Sequence, residues 1–249
     1  MGDVLNLTVI KTTAGNKVVK PDSNGYYKVT LGAFNVRNHS GAVYKFDGVR
    51  DLLKDDKCLV TSRLKAGRLR AEADHPPRVP GMTDSNFILR NMEISMKCVC
   101  AHIKEINIKE TNISENIPGV GNVVIVEGLV KPSGAFSAAL QESLDNPEED
   151  TCFSIRSFTK DKAVNGVTYK QVTQIVTWDW INAPGIRYAS KLGSPSVESQ
   201  DICMFDVDEL AAAVKSKSVS VESDDVEECI ESLASDYVKD DILTKWSKV

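Results

Sequence analysis

Histidine is the scarcest chemical resource in this chain of 249 residues, which has three: His39, His75 and His102. Any imidazole chemistry must use one of them. Cysteine occurs six times, at 58, 98, 100, 152, 203 and 229, but never as a C-x-x-C pair. The common zinc-ribbon and dithiol-redox signatures are therefore missing. A chain this long also buries enough surface to fold without staples, so the thiols read as reduced, cytosolic ones. No run approaches the roughly 18 apolar residues of a membrane-spanning helix. The opening Met1-Gly2-Asp3-Val4-Leu5-Asn6 lacks the basic and apolar regions of a secretory signal. Neither a membrane partner nor export is expected. Aromatics are only 6% of the residues, few for a platform that stacks single-stranded bases.

What the chain does have is an uneven charge. Residues 222–249 hold nine acids against three lysines, a net −6 within a total of −5, so residues 1–221 stand near +1. The body is close to neutral and the acidity belongs to the tail, the reverse of the usual nucleic-acid binder. No specific nucleic-acid partner is expected.

Periodicity sketches an α+β chain. Leu5–Ile10 and Tyr26–Leu31 are rich in β-branched and aromatic residues, with Asn24-Gly25 punctuating the turn. Phe87 to Ile108 carries alternating apolar positions and reads as strand, as do Val123–Val130, Cys152–Phe158 and Val172–Trp180. Pro132-Ser133-Gly134 opens a helix over Ala135–Leu144. Ala183–Ser199 is a Pro/Ser/Gly-rich linker or loop, and Asp208–Val214 a short helix. In the last segment Val226, Ile230, Leu233 and Tyr237, then Val238, Ile242 and Trp246, follow the spacing of an amphipathic helix. That helix is read either as docked on the body or as detachable. Three regions are expected: a body over 1–190, a linker and short helix over 191–221, and an acidic helical tail over 222–249.

Two segments could carry chemistry. In Arg70-Ala71-Glu72-Ala73-Asp74-His75-Pro76-Pro77 a histidine follows an acid and is held by two prolines, which fix φ. A metal site through Glu72, Asp74 and His75 lacks a second histidine or a cysteine at ligand spacing, so no metal and no cofactor are expected. In Cys152-Phe153-Ser154-Ile155-Arg156-Ser157 small hydroxyls alternate along a strand. Alone, that segment reads as a strand with a polar face.

Together, in their order along the chain, the two segments resemble the prohead core proteases of tailed bacteriophages of the T-even and giant-phage kind, a fold group shared with the herpesvirus assemblins. The family's histidine motif, Gly-Glu-Leu-Asn-His-Pro, stands here as Ala71-Glu72-Ala73-Asp74-His75-Pro76. Its serine motif, Gly-Val-Ser-Ser-Arg-Gly, stands as Cys152 to Ser157, with both glycines replaced. The spacing of Asn35 to Tyr44 also resembles the family's N-terminal Asn/Tyr stretch. The resemblance covers roughly residues 25–190 and implies an assemblin-like fold: a β-barrel-like antiparallel core surrounded by helices, with a C-terminal helical tail.

It also implies a serine endopeptidase. A serine hydroxyl needs a base to take its proton, histidine suits that role, and a third group must orient the imidazole. The resemblance assigns Ser154 as nucleophile, His75 as base and Asp179, between two tryptophans, as the third member; His39 and His102 are fallbacks. Arg156 resembles the arginine these proteases place near the oxyanion. The family cuts after glutamate in small-x-Glu motifs, and Ser196-Val197-Glu198 and Ser220-Val221-Glu222 have that form, which marks Glu198 and Glu222 as candidate autoprocessing sites of a zymogen. Expected substrates are capsid, scaffold and inner-core proteins inside a prohead in the host cytoplasm, with self-association and retention in the virion as further possibilities. The competing reading is a non-enzymatic phage core or scaffold protein. A β-barrel module for single-stranded nucleic acid comes third.

Overall fold

The computed structural model describes residues 4–13, 20–182, 186, 203–216, 225, 226 and 228–232. Ten strands are described: β1 (Val4–Thr13), β2 (Tyr27–Phe34), β3 (Val36–Arg37), β4 (Val43–Lys45), β5 (Arg70–Glu72), β6 (Val99–Glu110), β7 (Val124–Pro132), β8 (Cys152–Val164), β9 (Val167–Ile181) and β10 (Cys203–Asp206). Five helices accompany them: α1 (Val49–Leu52), α2 (Leu59–Lys65), α3 (Asp84–Met92), α4 (Ser137–Asp145) and α5 (Val207–Lys215). The α+β class stands. The expected barrel-like core does not close, because the described strands fall into two separate sheets. One has the order β10-β1-β8-β9-β4-β3 and the other β2-β7-β6-β5. Neighbours pair antiparallel except β4 with β9.

The long ribbon β8–β9 is a local hairpin. Asn165 at φ 50 and Gly166 at φ 77 turn the chain between Val164 and Val167, a left-handed pair whose twist matches that of the flanking strands. The main core lies between the sheets. Leu31, Phe34 and Val126 from the four-stranded sheet pack with Phe153, Ile175 and Trp178 from the six-stranded one, and α4 adds Leu140 and Leu144. A second apolar cluster joins α3 (Phe87, Met92), Phe158 and Val176 of the ribbon, Leu210 of α5, and Val226 and Ile230. Burying the larger of these side chains contributes about 1.5–3 kcal/mol each.

Several local expectations change. Phe87–Ile108 is not one strand: α3 runs to Met92 and β6 begins at Val99. Thr83 caps α3 by accepting from the Asn86 N–H at 3.3 Å, which favours helix over strand there. The stretch 191–221 contains β10, which pairs with β1 and is therefore sheet rather than linker. In the tail, 225–226 and 228–232 are helical, with Val226, Cys229 and Ile230 buried. That part of the tail is docked. Glu198 and Glu222 lie outside the described residues.

Candidate active site

Alternation along a ribbon puts every second side chain on one face. Ser154 pairs with Asp179 and Arg156 with Thr177 across β8 and β9, so these four share a face. All four are buried. The histidine arrives from the other sheet. β5 pairs with β6, but just beyond it Ala73 bridges to Trp180 at the end of β9, and the Asp74 N–H donates to the Trp180 carbonyl at 2.7 Å. Asp74 adopts φ 66, a left-handed conformation that aspartate tolerates, and its Oδ1 accepts from the His75 N–H at 2.8 Å. That reversal, stiffened by Pro76-Pro77, swings the imidazole over the ribbon.

There His75 Nε2 lies 2.7 Å from Ser154 Oγ, and His75 Nδ1 lies 2.8 Å from Asp179 Oδ2. Burial works against the charge on Asp179. The Arg156 guanidinium and the His75 ring outweigh it and hold the carboxyl at about 2. An ionised carboxylate only accepts, so Nδ1 carries a proton, and in the neutral ring Nε2 is then the acceptor for the serine hydroxyl. That is the tautomer a general base needs. Ser154 is buried and the His75 side chain is only 13% exposed.

Arg156 sits elsewhere than the resemblance implies. It is fully buried behind Asp179, donating from Nε to Oδ2 and from Nη2 to Oδ1, both at 2.8 Å. Its Nη1 donates to the carbonyls of Asn91 at 3.3 Å and Glu93 at 2.9 Å, and Nη2 also faces Glu72 Oε2 at 3.4 Å. Its donors are spent on these partners and none is left to face an oxyanion at Ser154. The side chain holds the acid instead. His102 is also away from the site, against the Tyr26 hydroxyl and the Gly67 carbonyl. His39 lies in the turn after β3.

Glu72, considered in the sequence only as a metal ligand, proves central. Its own N–H donates to Asp179 Oδ1 at 3.0 Å, and its buried carboxylate takes Arg90 in a two-pronged pair at 3.1 and 2.7 Å. It also accepts from the Ser95 N–H. Two carboxylates and two guanidiniums thus balance behind the imidazole. Arg90 lies on the helix α3, so no strand periodicity could have signalled it.

Beside His75 opens a cleft of about 490 Å³ lined by Ala73, Asp74, Phe136, Glu149, Asp150 and Trp180, among others. Its rim is acidic and partly aromatic.

Comparison with known proteins decides the lineage. Residues 5–239 match the peptidase S80 family. The chain belongs to the peptidase S80 family. Within curated proteins it is 32% identical over 202 residues to the capsid maturation protease of Pseudomonas phage phiKZ, covering 80% of this chain and 72% of that one. Among solved structures, the capsid assembly protease of bacteriophage T4 aligns with a TM-score of 0.47 at 12% identity, over 72% of this chain and 98% of that chain. Membership of the S80 peptidases agrees with the tailed-phage group to which the His75 and Ser154 motifs pointed.

Proposed function

We propose that the protein is a serine endopeptidase of phage capsid maturation, with Ser154 as nucleophile, His75 as general base and Asp179 as the acid that orients it. The observation that carries this reading is the continuous Ser154–His75–Asp179 contact, at 2.7 and 2.8 Å. In the acylation step Ser154 Oγ attacks the scissile carbonyl while its proton passes to His75 Nε2. The imidazolium, stabilised by ionised Asp179, then returns that proton to the leaving amine as the C–N bond breaks. Water, deprotonated by the same nitrogen, hydrolyses the ester and restores the serine. Arg156 and Glu72 fix Asp179 throughout.

Family membership and the phiKZ relative support capsid and scaffold proteins as substrates, and with them action inside the prohead during assembly. Cutting after glutamate, with Glu198 and Glu222 as self-processing points, completes the proposal. The acidic cleft beside His75 does not suit a glutamate side chain, so that side chain would be held elsewhere.

Reaction with a fluorophosphonate tests the reading. The wild type is expected to take one label at Ser154; Ser154→Ala abolishes it, and His75→Ala slows it by about 10⁴-fold or more. Labelling elsewhere, or labelling indifferent to His75, would favour the non-enzymatic core protein.

A further inference from the structure

The last carbonyls of a helix have no partner within it and must be satisfied from outside. At the end of α3 this falls chiefly to two buried arginines, with Arg90 Nη1 also reaching the Glu93 carbonyl at 3.5 Å. Arg156 donates to the carbonyls of Asn91 and Glu93, while Arg63, from α2, donates to that of Met92 at 2.8 Å. One arginine reaches from this helix end to Asp179. The other reaches from it to the C-terminal segment, donating from Nε to Asp225 Oδ2 at 3.0 Å. Arg63 also faces the carbonyl of Val176, the extra residue where the β8–β9 register shifts, three positions before Asp179.

The docked segment is built into this arrangement. Val226, Cys229 and Ile230 are buried in the cluster that holds Met92 and Val176, and Gln174 of β9 donates to Cys229 Sγ at 3.0 Å. Arg63 is 5% exposed, and a buried guanidinium deprived of its carboxylate is strongly unfavourable. Without Asp225, Arg63 must leave the helix end or stay there uncompensated beside Arg156, a like charge.

We propose that the docked residues 225–226 and 228–232 are a positioning part of the active site, acting through Asp225, Arg63, the end of α3 and Arg156 on Asp179. This rests on the reading of Ser154, His75 and Asp179 as catalytic. The element with two states is the segment itself, docked or free, and docking favours the working geometry.

The test uses the full chain and fluorophosphonate labelling of Ser154. In Asp225→Asn and Arg63→Lys the labelling rate is expected to fall about tenfold, within the range of such couplings, with circular dichroism unchanged. Asp225→Glu, which keeps the charge, recovers most of the rate. The low-field proton resonance of His75 Nδ1–H is expected to shift in Asp225→Asn, which mere loss of stability in a folded sample would not cause. Faster alkylation of Cys229 reports that the segment has loosened. Wild-type labelling and an unshifted proton in both slow-predicted variants, with Cys229 alkylation accelerated, would overturn the proposal. A wild type that takes no label at Ser154 would instead sink the protease reading itself.

Discussion

A carboxylate with no exposed surface is tolerable only when its lone pairs are matched, and Asp179 has four donors around it: Arg156 twice, His75 and the Glu72 N–H. Its depressed ionisation has a direction that stability measurements can check. Protonation at about 2, against the ordinary 3.8, means that the folded state binds this proton less readily than the unfolded one. The stabilisation is complete above about pH 4 and is lost as the pH falls through 2. Urea titrations are expected to show the wild type losing about 2 kcal/mol more than Asp179→Asn over that window. Equal losses would mean that the carboxylate is not held as described. At this scale the sequence was informative where chemistry and motif coincide: His75, Ser154 and Asp179 were nameable, and the structure brings them together. Arg156 was misassigned because a motif says which residue is near, while the direction of its side chain depends on α3 and Glu72. Glu72 and Arg90 sit on a strand and a helix 18 residues apart, and only the folded chain puts them in contact.

Elements place these groups, and the loop before α4 does so with little tolerance. Gly134 has φ 85, and a Cβ there would meet the Val99 carbonyl oxygen and Cγ1 at 2.7 Å. The close approach ties the loop to the start of β6, where the Phe136 N–H donates to the same carbonyl at 3.0 Å. Gly134→Ala is expected to cost about 1–3 kcal/mol from the left-handed backbone alone, and more from the clash. Thermal denaturation would show it, and a melting temperature unchanged within a degree or two would count against the geometry. The helix start at Pro132-Ser133-Gly134 was visible in sequence because such residues act locally. The boundary between α3 and β6 was not. Alternating apolar residues from Ile94 to Cys100 belong to the approach and start of β6, and the same hydrophobic density in Phe87–Met92 is a buried helix face. Apolar content does not distinguish the two until Thr83 is recognised as a cap.

For the whole molecule, the six-stranded sheet is the middle layer, covered by the four-stranded sheet on the main core and by α3, α5 and the C-terminal stretch at the second cluster. Thiols report this layering. Cys58, Cys100, Cys152 and Cys229 are buried, while Cys98 is half-buried. Burial, reinforced by the nearby Cys58, pushes the Cys229 thiol up to about 12. A thiol reagent on the native protein is therefore expected to modify Cys98 before those four, as peptide mapping over time would reveal. Early modification of Cys229 would mean that the C-terminal stretch is not seated as described. Charge arithmetic located the acidity at the end of the chain, and helical periodicity placed Val226 and Ile230 on one face. Whether that face was covered depended on a complementary surface, which α3, β8 and β9 assemble from distant parts of the sequence.

The contact between Arg63 and Asp225 joins residues 162 positions apart. A ribosome makes a chain from its N-terminus at about 5–20 residues per second, so Ser154 and His75 are made before Asp225 is. If Asp179 is steadied through that later-made residue, a nascent chain carries Ser154, His75 and Asp179 before it has this brace. Translation order would then act as a clock, withholding that brace until the stretch around Asp225 has been made and has docked.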